Sequence, residues 1–428
     1  MVFFKMLTAI VGVNWGDEGK GRMVDLYAQE QDIVARYQGG NNAGHTVINP
    51  KGKFVLNLLP SGIFNERCLN LLGSGMVVDA RHLCGELESL RAKGEALDER
   101  RLAISDRAVL CLPWHVDQDA LEEARLGEAR FGSTRRGIAY VYGDKYMKKA
   151  IRFGDLQDEK ALLERMRGLT EWKNLTLRGV YGAQPASLEE TMDYLKTYAY
   201  PLLPYVQDAG RLLERAAAQG KRILFEAQLG TLRDIDFGIY PYTTSSQTLA
   251  AYAPIGAGAP GLRLDKTVGV MKAYSSCVGE GPFTCEWFGP EAEALRQAGR
   301  EYGAATGRPR RVGPFDAVAS RYGVRMQGCD ELALTKLDVL SYLDRVPVCV
   351  AYEIDGQRVE EFPYGARLER AKPIVEYWPG WQRDISACRT EDQLPKAARE
   401  YVSALESLVG RPIRCISVGA ERSDCIWR

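Results

Sequence analysis

Histidine is scarce in this sequence: 428 residues hold only His45, His82 and His115. That disfavours a histidine-rich metal centre and restricts any acid–base imidazole to three named side chains. Net charge is absent as well. The 56 Lys and Arg balance 56 Asp and Glu, which argues against non-specific attraction to nucleic acid or a membrane, while leaving room for a local basic pocket. Ten cysteines are scattered without a Cys-x-x-Cys pair. With no signal-peptide pattern and no apolar run of membrane-spanning length, they read as reduced, mostly buried thiols of a cytoplasmic protein. No internal repeat, low-complexity tract or linker divides the chain, which is long enough to bury a large core.

What is present begins with Val11-Gly12-Val13-Asn14-Trp15-Gly16-Asp17-Glu18-Gly19-Lys20-Gly21-Arg22. The apolar run Leu7 to Val13 predicts a buried strand, and Met23, Val24, Leu26 and Tyr27 recur at helical spacing after it. Strand, glycine-rich turn and helix start form a phosphate cradle, because small residues let backbone N–H groups approach an anion. Lys20 adds a positive charge. The Walker A pattern is not met, since Asn14 stands where its first glycine would be and Gly21 follows the lysine. A lone Gly-Asp is ordinarily a solvated turn. The pair Asp17-Glu18 inside a phosphate loop is unusual, because carboxylates repel phosphate unless a metal intervenes or one of them takes a proton during chemistry.

A second strand, Ile33 to Tyr37, runs into Gln38-Gly39-Gly40-Asn41-Asn42-Ala43-Gly44-His45-Thr46. Two such loops after the first two strands predict a doubly wound sheet with its site at the strand C-terminal ends. Further strands are expected at 54–59, 69–72, 222–226, 268–274, 332–338, 346–352 and 413–418, and helices at 83–92, 119–128, 158–168 and 189–218, the last broken by Pro201 and Pro204. The simplest account is one large α/β domain over 1–428, with a mostly parallel central sheet flanked by helices, a P-loop-NTPase-like nucleotide site and a helical insertion at roughly 85–220. The basic stretch 131–156 would by itself read as solvated surface.

Thr335-Lys336-Leu337-Asp338 closes a strand on the pattern by which many nucleotide-binding proteins read guanine. The aspartate accepts from the ring N–H and the exocyclic amine, and the lysine stem lies along the ring. Adenine offers no matching donors and would leave a desolvated carboxylate unpaired. With the upstream phosphate loop, GTP is the favoured ligand.

Over essentially its whole length the chain resembles the adenylosuccinate synthetase family. The matches are 15–21, Gly39-Gly40, 42–46, Gly137-Ile138, 234–236, 240–242, 244–246, 272–275, 306–308, 335–340 and 379–381. The resemblance implies ligation of aspartate to C6 of IMP with GTP and Mg²⁺, through a 6-phosphoryl intermediate, in a homodimer that binds neither nucleic acid nor membrane. It assigns Asp17 as the base that removes the N1 proton and as a metal neighbour, His45 as the catalytic histidine at the transferring phosphoryl group, and Lys20 as a phosphate ligand. Gly16, Glu18, Gly19, Gly21, Gly44 and Thr46 fall around GTP and Mg²⁺, with the Gly44 carbonyl as a metal ligand. Lys336, Asp338, Ser417 and Gly419 fall around guanine. Thr306, Arg308 and Arg310 match the aspartate loop, where guanidinium forks suit carboxylates. Gln38, Asn42, Thr134, Lys148, Gln228, Leu229, Thr244, Val278 and Arg308 match the acceptor nucleotide's surroundings.

Departures from the family pattern gather at the acceptor. Arg135 replaces a glycine, Ala139-Tyr140 replaces Gly-Pro, and Ala305 replaces a threonine. Lys148 stands where a neighbouring subunit's arginine reaches the 5′-phosphate, which loses the bidentate fork; Arg135 is one candidate to restore it. Leu229 occupies the place of the glutamine that faces the 6-position, with Gln228 one residue early. Two alternatives therefore stay open: the same ligation on another 6-oxo purine nucleotide or analogue, and a GTP-binding protein without ligase activity. The glycine-rich stretches 39–44 and 303–307 are expected to order on nucleotide binding.

Overall fold

A computed structural model describes residues 7–42, 44–49, 52–95, 97–302, 307 and 309–428. Its centre is a ten-stranded sheet in the order Cys425–Trp427, Ile413–Ser417, Glu331–Thr335, Lys266–Lys272, Leu7–Gly12, Ile223–Glu226, Ile33–Arg36, Leu69–Leu72, Leu102–Ser105, Val206–Gln207. All neighbours in it run parallel except the last two strands of the chain, which pair antiparallel. The first strand lies inside, fully buried on both faces. Ala9 and Val11 join the larger core, while Ile10 packs with Met23, Val24 and Ala28 of the helix Lys20–Ala28. A strand covered on both sides needs a continuous apolar run rather than an alternating one, and each fully buried Ile or Met contributes about 1.5–3 kcal/mol.

Because the strands are parallel, Gly12, Arg36, Glu226, Lys272, Thr335 and Ser417 end along one edge, and the loops that follow them share it. The expected strands at 69–72, 222–226 and 413–418 lie within one or two residues of the observed ones. The expected strand at 54–59 is Gly52–Leu56, the return arm of a hairpin with His45–Asn49. The glycine-rich approach to His45 hid the first arm, although Thr46-Val47-Ile48 is a β-branched run. The helix expected at 119–128 starts at Pro113, whose missing N–H suits a first turn.

Among the described residues of 85–220 the α-helices are the end of Ala80–Ala92, then Pro113–Leu126, Ile138–Tyr146, Glu159–Tyr181, Leu188–Tyr194 and Ala209–Ala218, and Leu102–Ser105 and Val206–Gln207 stitch the segment to the sheet edge. Pro201 and Pro204 fall in a 3₁₀ turn, Tyr200–Tyr205. Arg345–Ile354 pairs with Lys372–Pro379 in a smaller sheet. Among the described residues no helix is long and apolar enough to cross a membrane.

His115 locks the helical segment in one protonation state. Its Nδ1 accepts the Leu112 N–H at 2.9 Å, and its Nε2 meets Asp144 Oδ2 at 2.9 Å, which also takes Lys173 Nζ at 2.8 Å. Protonating Nδ1 would break the bond from Leu112. Burial holds the imidazole below its ordinary value, against the upward pull of Asp144. The unfolded chain, with its histidine near pH 6.5, therefore binds more protons than the folded one just below that pH, so this contribution to stability is lost as pH falls. The drop in Tm from pH 7.5 to 5.5 is expected to be smaller in His115→Gln than in wild type. An equal or larger drop in the variant contradicts the assignment.

Candidate active site

The phosphate loop separates its two acids. Glu18 is buried and turns inward: it accepts the N–H groups of Asn14 and Gly16, both at 2.9 Å, and takes Lys20 Nζ at 2.7 Å. Lys20 Nζ also donates to the Gly16 carbonyl at 2.8 Å. Glu18 is thus a staple of the loop, and its charge is spent on the backbone and on Lys20. Asp17 points the other way, partly exposed, with Arg310 Nε 3.3 Å from its Oδ2. Gly16 and Gly19 hold φ of 117° and 90°, left-handed conformations that suit glycine. The helix start at Lys20, with its first-turn N–H groups, follows directly. Thr335 Oγ1 donates to the Glu18 carbonyl at 2.6 Å, fixing the loop to a strand end two places along the sheet.

His45 opens the hairpin and packs against the loop helix. A Cβ on Gly21 would lie 2.8 Å from His45 Cβ, so only glycine lets the hairpin lie this close. His45 Nδ1 meets Glu226 Oε1 at 2.5 Å, and Ser61 donates to the same carboxylate through Oγ at 2.7 Å and N–H at 2.8 Å. Burial pushes the imidazole down, against the pull of Glu226. Burial would push the Glu226 carboxyl up, but the hydrogen bond from His45, the charge of Arg36 and the Ser61 N–H hold it below the usual range. We assign a neutral ring that donates Nδ1–H to an ionised Glu226, which leaves Nε2 for a ligand. In the sequence Glu226 is only the last residue of the expected strand at 222–226. The signal was a charge at the end of an apolar strand, and it is fully buried.

On the side where guanine is expected, Lys336 has φ 60° and donates to the Gly299 carbonyl at 2.5 Å and to Glu301 Oε1 at 3.0 Å. Asp338 follows in a 3₁₀ turn. Its Oδ1 is buried without a hydrogen-bond partner, and burial pushes its carboxyl up. An orphaned buried acceptor costs about 1–3 kcal/mol. Ser417 is tied to the loop helix by Arg22, which also donates to the Glu421 and Asp424 carbonyls at 2.5 and 3.1 Å. Gly419 packs against Asp424, where a Cβ would lie 2.4 Å from Oδ2. Arg22 and Glu301 were both missed in the sequence: an arginine on a helix and a glutamate before a loop carry no motif.

The expected acceptor residues divide. Gln38 donates to the Gln228 carbonyl at 2.7 Å and accepts from Ser246 Oγ at 3.0 Å. Gln228 is fully buried, donates to the Gly40 carbonyl at 2.6 Å and leaves Oε1 unpartnered. Leu229, at φ 56°, is half-buried beside Gly16, whose Cβ would sit 3.1 Å from Leu229 Cδ2. Asn42 accepts the Gly40 N–H at 3.2 Å. The Thr244 N–H donates to the Arg233 carbonyl at 2.9 Å, and Val278 is half exposed. Thr134 and Lys148 lie on exposed surface, and among the described residues no side-chain hydrogen bond or ion pair links them to the loop. Arg135 and Lys148 both hold left-handed backbone, so Arg135 takes a glycine-like conformation where the family has glycine. Gly44 is exposed. Thr306, Arg308, Ala305 and most of 303–307 lie outside the described residues, as does the side chain of Thr46.

A family model described as adenylosuccinate synthetase matches residues 9–426. The chain is 46% identical over 421 residues to an adenylosuccinate synthetase 2 from Pseudoalteromonas translucida, covering 98% of this chain and 99% of that one. It is 44% identical over 418 residues to an adenylosuccinate synthetase from Frankia alni, covering 97% of each. The solved structure of fully ligated adenylosuccinate synthetase from Plasmodium falciparum superposes with a TM-score of 0.92 at 34% identity, over 98% of this chain and 99% of that one. A cyanophage S-2L succinoaminodeoxyadenylate synthetase bound to dGMP and dATP shares the fold alone, with a TM-score of 0.64 at 19% identity over 99% and 95% of the two chains.

The contact between Gly21 and His45 is open to test. Gly21→Ala is expected to lower the unfolding free energy by about 1–3 kcal/mol through overpacking, measured by urea titration. An unchanged midpoint contradicts the close approach.

Proposed function

The chain belongs to the adenylosuccinate synthetase family, and we propose that the residues gathered at the sheet's C-terminal edge perform its reaction in the following roles. The protein is a GTP-dependent ligase joining aspartate to C6 of IMP. Asp17, the acid left free by the inward turn of Glu18, removes the N1 proton, so that O6 becomes nucleophilic toward the γ-phosphorus. The leaving group is then a phosphate in place of an oxo group. The amine of aspartate attacks C6 and phosphate departs. Arg310, beside Asp17, receives a carboxylate of the incoming aspartate, with Thr306 and Arg308 assigned to the same substrate by resemblance. Gly16, Gly19, Lys20 and Gly21 cradle the GTP phosphates. His45 presents Nε2 to the transferring phosphoryl group, and ionised Glu226 behind it favours proton uptake as that negative charge arrives.

Mg²⁺ fits the donor set. The Asp17 carboxylate and the Gly44 carbonyl are hard oxygen ligands, and among the described residues Asp17 has no backbone N–H competing for it. When bound, the ion neutralises charge on the phosphates. A homodimer in the cytoplasm completes the reading, with Lys148, on exposed surface, offering its ammonium to a second subunit's acceptor phosphate.

The observation that carries the nucleotide assignment is the orphaned Asp338 oxygen, a buried acceptor with no donor of its own. Guanine supplies the missing N–H groups. A second reading of the acceptor, as another 6-oxo purine nucleotide, is favoured by Leu229, whose apolar side chain stands beside Gly16 where the family carries a glutamine. Incubation with Mg²⁺, GTP, aspartate and IMP is expected to give the mass of adenylosuccinate. Asp338→Asn should lower kcat/KM for GTP by about a hundredfold or more and improve use of XTP, whose C2 carbonyl meets the new amide donor. No adduct with IMP but one with a different 6-oxo purine monophosphate supports the second reading. An Asp338→Asn enzyme that keeps its GTP preference overturns the guanine assignment.

A further inference from the structure

Glu301 stands outside every motif of the sequence, yet its side chain is fully buried among three cations. Oε1 takes Lys272 Nζ at 2.8 Å, Lys336 Nζ at 3.0 Å and the hydroxyl of Tyr274. Oε2 takes Arg310 Nη1 at 2.8 Å, and the Glu301 carbonyl accepts the Arg310 N–H at 2.9 Å. Arg310 in turn places Nε 3.3 Å from Asp17. Burial would push the Glu301 carboxyl up, but Lys272, Lys336 and Arg310 hold it well below the usual range. Lys272, buried and donating also to Ser276 Oγ at 2.5 Å, is pushed down to about 8 by burial, against the pull of Glu301.

The three cations come from different parts of the chain. Lys272 ends one central strand and Lys336 follows the next, side by side through the pairing of Lys272 with Thr335. Arg310 arrives from beyond the last helix before the strand Arg311–Gly313. Three positive charges this close repel one another unless a counter-charge lies between them, and in a buried site that repulsion is poorly screened. One carboxylate therefore fixes the resting place of all three.

We propose that Glu301 is a positioning residue shared by the guanine and aspartate sites. It sets the Lys336 ammonium for the guanine ring and the Arg310 guanidinium for the substrate carboxylate, and through Arg310 it orients the Asp17 carboxylate. This rests on the roles given above to Lys336 and Arg310. It predicts a signature that a merely structural residue lacks: one neutral substitution weakens two substrates that bind on opposite sides of it.

The test uses full-length enzyme carrying Glu301→Gln, which keeps shape and removes charge. GTP affinity is measured by titration calorimetry and KM values by steady-state assay. The GTP Kd and the aspartate KM are each expected to rise about tenfold or more, the scale of a lost charge-assisted hydrogen bond. The IMP KM should stay within about twofold, and Glu301→Asp should recover part of both losses. A lower Tm with both constants unmoved overturns the proposal, as does a rise confined to one substrate. If Glu301→Gln does not fold, Tyr274→Phe, which deletes one hydrogen bond to the same carboxylate, should show the same paired rise at about two- to threefold; no paired rise there also overturns it. Lys336→Gln and Arg310→Gln are run beside them. If Lys336→Gln leaves GTP binding intact, or Arg310→Gln leaves the aspartate KM intact, the underlying assignments fail, which is distinct from a Glu301→Gln variant that is silent while both controls respond.

Discussion

Glu18 folds its carboxylate back under the loop that carries it, taking two backbone N–H groups and the ammonium of Lys20. A buried carboxylate without such partners would cost several kcal/mol, so the loop has little freedom to close in another way. With Glu18 committed inward, Asp17 is left at the rim, the glycines at 16 and 19 take their left-handed turns, and the helix start faces the space where a phosphate belongs. The acidic pair that looks wrong for a phosphate loop is thereby split into a structural acid and one left free at the rim.

The sheet does the rest by direction. Parallel strands deliver Lys272, Lys336, Glu226 and the phosphate loop to one edge, and the buried charges there are arranged in pairs that answer one another: Glu226 behind His45, Glu301 among Lys272, Lys336 and Arg310. Asp338, by contrast, is a carboxylate that keeps a buried oxygen without a donor. In the proposed reading this oxygen is satisfied by the N–H groups of guanine, so specificity would come from a local penalty that the correct base relieves.

Much of this was legible in the residues. The central strands are continuous apolar runs because both faces are covered, and the phosphate loop and Thr335-Lys336-Leu337-Asp338 announce themselves by pattern. The sequence could not show which way a carboxylate turns: Glu18 and Asp17 are neighbours with opposite fates, and it is Glu18 on which the N–H groups of Asn14 and Gly16 and the Lys20 ammonium converge. Glu226, Glu301 and Arg22 were unreadable for a different reason. Each acts through partners distant in the chain, Arg22 on residues near 420, Glu226 on His45 and Ser61, and Glu301 on Lys336 and Lys272, and no local spacing encodes that. The hairpin arm at His45 was hidden by the glycines before it.

In the proposed reaction Asp17 makes O6 of the acceptor a nucleophile toward the γ-phosphorus, so that the oxygen leaves on phosphate. IMP labelled with ¹⁸O at the 6-position, turned over with GTP, aspartate and Mg²⁺, tests this directly by mass spectrometry of the inorganic phosphate. The label is expected in the phosphate. Label released into water, with unlabelled phosphate, would contradict it.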